Sequence, residues 1–286
     1  MSGLKTIGEV VDAELKGNVR DYIWRKTPSQ TTTIGIWFDL SMSPGMPVPK
    51  YWFDAAPLTA KAIYQSSDGG FYHGPDVTGE KYLRKITTQA SAVTALPMNV
   101  ILCDYLLYYP TIDDGTTDEQ VMDNTVTLPR YTDGKGVQIL AVTVGSRTGG
   151  QQFTISYTNS DGVAGRTTTA VTQNTSTVLG SITGSNRATI NASNPFIGLQ
   201  AGDSGVRSIE SVTMLGVDVG LMSIILVKPL TQTCFREITV PYEKDFLIPT
   251  SDLIRIYNNA FLNFLCLPLG SLAATSLRGD LKVIWT

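Results

Sequence analysis

The chain has 286 residues, 42 % hydrophobic and only 16 % charged, with a net charge of −3. That length supports a real core in one large β domain or two smaller ones. The sparse, mildly acidic charge excludes a surface built to attract a phosphate backbone, so nucleic acid is not expected as a main ligand.

The surface must instead be made of uncharged polar side chains. The 35 threonines suit pleated, half-exposed strands, and the 26 glycines suit tight turns. A surface of this kind loses little on desolvation and fits a subunit that docks against others. The first residues, MSGLKTIGEVVDAELKGN, hold no apolar core of a secretory signal. The longest apolar run, Val219 to Val227, is interrupted by Gly220 and Ser223 and is too short to span a bilayer. The expectation is a protein made in a cytoplasm, with no membrane partner.

Thr6-Ile7-Gly8-Glu9 is a capping-box pattern and opens the one expected helix. Ile7, Val10, Val11 and Leu15 are placed on one face, and Gly17 stops the helix. That stripe packs on its own domain or on a neighbouring subunit. VRDYIW and TTTIGIWFDL read as strands, and SMSPGMPVP, with its prolines, as a loop. Tyr51, Trp52 and Phe53 follow in a row. Core and lid packing is the plainer reading of this trio, and a carbohydrate-binding platform is the alternative.

KYLRKITTQAS and NVILCDYLLYYP read as strands, the second buried on both faces and ended by Pro110. IDDGTTDEQVMD lacks the spacing of a calcium loop and reads as a solvated acidic loop. VQILAVTV, QQFTISYTN, RSIESVTML and GLMSIILVKPL are strands separated by glycine-rich turns. In the second of these, Phe153, Ile155 and Tyr157 alternate with Thr154, Ser156 and Thr158. Asn159-Ser160-Asp161-Gly162 then turns the chain into a hairpin. The apolar set is expected to face the core, and the hydroxyl set to face solvent or a neighbour. The tail to LKVIWT is again β, ending inside a sheet, with one helical turn near SDLIRIYNNAFLN.

The expected fold class is therefore mainly β, a β-sandwich or jelly-roll-like body with a short N-terminal helix. Residues 1–35 are expected as an extended arm carrying the helix. Residues 36–286 form the body, with a sandwich unit near 129–234.

Chemistry is thinly supported. Cys103, Cys234 and Cys266 have apolar neighbours and no metal spacing, so they read as free buried thiols. His73 stands alone, which rules out a histidine-rich metal site and forces any Ser/His/Asp mechanism through it. Gly202-Asp203-Ser204-Gly205 resembles the nucleophile motif of trypsin-like proteases, but Val206 follows it and FYHGPD lacks that family's histidine context. A turn in which Asp203 bonds its own backbone is the plainer reading. Carboxylate pairs for glycoside hydrolysis exist by number alone, and no spacing selects one. The sequons at Asn174 and Asn191 have no secretory route to act through. No enzyme activity, cofactor or metal is expected.

The segments NTVTLPRYTDG, YTNSDGVAGR and LQAGDSGVRSIES resemble a group of virion structural proteins of tailed bacteriophages, over residues 50 to 286. That resemblance implies a particle component located in the virion. The role that best fits is a capsid decoration, or cement, protein that binds the outside of the head shell and cross-links capsomers. Its implied partners are the major capsid protein and copies of itself, a trimer by analogy with local three-fold axes. Ile7, Val10, Val11, Thr154, Ser156 and Thr158 are the expected subunit contacts. A tail or baseplate adaptor, or a host-recognition module using Tyr51, Trp52 and Phe53, is the alternative. A particle-associated hydrolase is a third reading. The shell-forming capsid protein fits less well, because the chain lacks a long spine helix.

Overall fold

The computed structural model describes residues 4–184, 194–247 and 253–286. The fold is mainly β and sandwich-like, with a short helix, α1 (Ile7–Leu15), near the N-terminus. Among the described residues, eleven strands are longer than two residues. They are β1 (Val19–Lys26), β2 (Lys81–Ala90), β3 (Met98–Asp113), β4 (Gln138–Gly145), β5 (Gln152–Asn159) and β6 (Val206–Met214), then β7 (Leu221–Phe235), β8 (Tyr242–Asp245), β9 (Ile254–Ile256), β10 (Phe261–Leu267) and β11 (Leu277–Trp285).

Two long strands organise everything else. β3 has 16 residues and β7 has 15, and each is apolar on both faces over much of its length. At about 3.3 Å per residue they are roughly 50 Å long. They pair antiparallel and form the centre of a seven-stranded sheet, flanked by β4 on one side and β10 on the other. Val100, Leu102, Asp104 and Leu106 alternate along one face of β3. That face is covered by two different sheets in succession.

The first covering sheet runs β8-β2-β11-β1, with β9 also on β2 and the short pair Gly45–Met46 beyond β1. Trp24, Leu83, Ile86, Leu281 and Val283 meet Val100, Leu102 and Phe264 there. The second has β5 and β6 at its centre, edged by Gln120–Val121 and by Arg166–Thr167 and Val171–Thr172. Its Phe153, Ile155, Tyr157, Ile209 and Val212 meet Leu106, Tyr109, Ile139 and Leu226. The result is two sandwiches, end to end, sharing one central sheet. The other face of that sheet is roofed by Trp37, Met42, Trp52 and Ile63.

The structure departs from the sequence reading in several places. The segment expected as an arm belongs to the body: β1 pairs with β11 over its whole length, because Trp24 and Lys26 point inward and are buried. The sandwich expected near 129–234 takes part of its core from Leu106, Tyr109 and Ile112 on β3, outside those limits. Pro110 does not end β3, since it sits where the register with β7 shifts and no N–H is needed. The helical turn expected near residues 251–263 is instead β9, a turn and β10 among the described residues.

Candidate functional site

The hairpin alternates as its sequence predicts. Phe153, Ile155 and Tyr157 are fully buried, while Thr154, Ser156 and Thr158 are half-buried on the opposite face. Asn159 organises the turn, its Oδ1 accepting from the Asp161 and Val163 amides at 3.0 and 2.9 Å. The hydroxyl face is largely committed within the sheet. Glu210 on β6 accepts from Ser156 Oγ at 2.9 Å, from Thr158 Oγ1 at 2.7 Å and from the Gly165 amide at 2.9 Å. A neighbour docking on these hydroxyls must exchange bonds with Glu210.

The Gly202-Asp203-Ser204-Gly205 segment, whose plainer reading is a turn, anchors this hairpin. Asp203 does not bond its own backbone. Its carboxylate accepts from Tyr157 Oη at 2.6 Å, Asn159 Nδ2 at 2.7 Å and Arg166 Nε at 3.0 Å. Arg166, Tyr157 and Asn159 together hold its pKa down to about 2. Ser204 Oγ lies 2.9 Å from Ser160 Oγ.

His73 is buried elsewhere, with both ring nitrogens engaged. Nε2 faces the Ala260 carbonyl at 2.9 Å and so donates to it, while Nδ1 accepts from Lys81 Nζ at 3.3 Å. Burial, reinforced by the Lys81 charge, pulls its pKa down to about 4. Among the described residues, both nitrogens of this buried, neutral imidazole are taken up by Ala260 and Lys81, and no serine or carboxylate bonds to it. Cys103 and Cys266 are buried free thiols whose pKa is pushed up by burial, and Cys234 is a half-buried free thiol. Among the described residues, no group of three or more His, Cys, Asp or Glu side chains could hold a metal ion, and no helix is long and apolar enough to cross a membrane. Asn174 is buried, and Asn191 lies outside the described residues.

The aromatic trio is divided. Trp52 is fully buried, whereas Tyr51 and Phe53 are exposed on either side of it. Trp52 stacks on Tyr105 at 5.5 Å and donates from Nε1 to Asp39 at 2.7 Å. Asp39 also accepts from Tyr105 Oη at 2.7 Å and the Ser41 amide at 2.9 Å. These bonds hold a carboxylate whose burial raises its pKa. A three-ring glycan platform is therefore not formed, because the middle ring is spent on the core.

The helix stripe is divided too. The capping box forms as expected, with Thr6 and Glu9 satisfying each other's amides. Val10 and Ala13 turn inward onto Ile284 of β11. Ile7, Val11 and Leu15, spaced four apart, face solvent with exposures of 67, 48 and 81 %. The helix thus has a buried apolar face and a second, exposed one.

One more feature was not visible in the sequence. Where the two sandwiches meet, Asp104 is fully buried and clamped by Arg130, with Nε and Nη2 at 2.8 and 2.7 Å. Arg130 also donates to the Ile63 and Tyr105 carbonyls. Outside this pair lies a groove of about 540 Å³ lined by Pro129, Tyr131, Tyr257, Lys135 and Lys228. Tyr131 and Tyr257 meet edge to face at 4.8 Å, with Lys228 over the first ring and Arg255 over the second. The residues come from three segments, around 129–135, 228 and 257, so no local pattern marks the groove.

No protein-family model matches the chain, and no curated protein matches it in sequence. Among solved structures, it shows weak similarity to particles of infectious bursal disease virus. The Gt strain structure is 9 % identical, with 93 % of this chain and 80 % of that chain covered and a TM-score of 0.18. The VP2 subviral particle is 10 % identical, with 94 % and 80 % covered and a TM-score of 0.17. The virus-derived T=1 particle is 12 % identical, with 94 % and 78 % covered and a TM-score of 0.16. Similarity at this level carries no argument about the chain's role.

Proposed function

We propose that the chain is a structural subunit of a virus particle, a decoration protein that binds the outside of a phage head shell and links neighbouring subunits. The partners are the shell protein and copies of this chain. The observation that carries the reading is the exposed Ile7, Val11 and Leu15 stripe on a helix already anchored through Val10 and Ala13. A soluble surface helix ordinarily has one apolar face, turned inward. A second face on a fixed helix suits a contact with another subunit. The low-charge, threonine-rich surface and the stiff shared sheet suit the same task. The glycan-platform alternative loses Trp52 to the core, and a hydrolase through His73 loses its base to Ala260 and Lys81.

The test is copy number per purified particle, by quantitative peptide mass spectrometry. A count on the order of hundreds, set by shell symmetry, supports the head-surface role. A count of about a dozen redirects the reading to a vertex or the tail. Absence from particles overturns it.

A further inference from the structure

We infer that the loop between β6 and β7 is a preformed prong that docks in the groove between the sandwiches of a second copy of this chain. The inference rests on the self-association in the proposed function and names the surfaces that carry it.

The loop reads Leu215-Gly216-Val217-Asp218-Val219-Gly220. Leu215, Val217 and Val219 are exposed by 54, 64 and 70 %. Their intervening partners face the body. A Cβ on Gly216 would meet the Gln151 side chain, and one on Gly220, at φ +141°, would lie 2.5 Å from Arg147 Cβ. Asp218 is buried, and its Oδ1 takes the Val219 amide at 2.7 Å and the Thr148 hydroxyl. Backbone bonds complete the brace: Asp218 N to Asp114 O at 2.8 Å, Asp114 N to Gly220 O at 3.1 Å, and Thr148 N to Val219 O at 3.2 Å. Three aliphatic side chains are thus held outward on a rigid frame, which lowers the ordering cost of binding.

Charge selects the occupant. Asp113, which pairs with Leu221, and Asp118 and Glu119, on the loop whose Asp114 bonds the prong backbone, are exposed, while Arg147, packed against Gly220, is buried. The groove offers the complement: two tyrosines and a proline for the aliphatics, with Lys135 and Lys228 around them and Asp133 as an acid at its rim, while Arg255 over Tyr257 is already ion-paired with Glu80. Tyrosine walls of this kind commonly carry interface energy, and opposite charges set register and association rate. Prong and groove are different patches. The contact therefore occurs twice in a two-fold dimer, repeats around a ring where its rotation closes, or extends as an open filament where it does not.

The test is sedimentation velocity of the full chain over a concentration series, at low and high salt. Val217→Asp changes an exposed side chain and should leave the circular dichroism spectrum intact while weakening association at least ~10-fold. Asp118→Lys with Glu119→Lys should weaken it, as should Lys135→Glu with Lys228→Glu. Combining all four should restore it, and only complementary contact predicts that rescue. If the wild type associates but Val217→Asp and the charge reversals change nothing, the prong is wrong and self-association stands. If the wild type stays monomeric throughout, the self-association reading fails, and this contact with it.

Discussion

The two sandwiches share one sheet but are filled in different ways. The first is packed with rings: Trp24 stacks on Phe71 at 4.8 Å, and Phe235 and Phe264 meet it edge-on. Its covering strands come from both ends of the chain, β1 with β11. The second is packed mainly with aliphatics around Phe153 and Tyr157, and it draws its core from the middle of the sequence. The first therefore closes only through contacts of the longest sequence separation, whereas the second rests on a local hairpin. Long-range closure is the slower step in folding, because loop entropy is lost before contacts compensate. Asp104 and Arg130 sit where the two meet, so they report on the coupling between them.

The largest expected effect is Trp24→Ala, at about 3–5 kcal/mol in urea unfolding, since a fully buried ring contacting three others is lost. Hydrogen exchange should then rise in β1, β2 and β11 before it rises in β5 and β6. Equal rises would show that the sandwiches form a single cooperative unit. Arg130→Leu should cost a similar ~3–5 kcal/mol by leaving the Asp104 carboxylate buried and uncompensated. Adding Asp104→Leu should recover most of that loss. A double variant no more stable than the single would mean that the pair is not the source of the cost.

His73 gives a smaller, pH-dependent effect on the first sandwich's side of the seam. Its folded pKa, about 4, lies below the 6.5 of the unfolded chain. Between those values the unfolded chain binds a proton that the native state refuses. Its contribution is complete above pH 6.5 and falls away toward pH 4, by roughly 3 kcal/mol. Asp39 and Asp104 are raised by burial and act in the opposite direction, so the measurement is wild type against His73→Gln across that window. A constant difference between the two proteins would show that His73 is accessible to protons in the fold. The smallest effect is Thr6→Ala, which removes the helix cap at about 1 kcal/mol. It should speed exchange in α1 alone.

The local devices were legible. The Thr6–Glu9 cap, the alternation in FTISY and the turn at Asn159 to Gly162 need only neighbours in sequence, and each formed where the residues predicted it. So did the long apolar strand beginning NVILCDYLLYYP and the β class of the whole. The remainder depended on what lies across a sheet. Whether Trp52 faces solvent or core depends on Asp39 and Tyr105, which approach it from other strands. Which part of the α1 stripe is covered depends on Ile284 near the far end of the chain. Pro110 is tolerated inside β3 because of a register shift against β7. Arg130 is separated from Asp104 by 26 residues, and Tyr131 from Tyr257 by far more. Periodicity determines which side of a strand is apolar, but only the assembled sheets determine what that side meets.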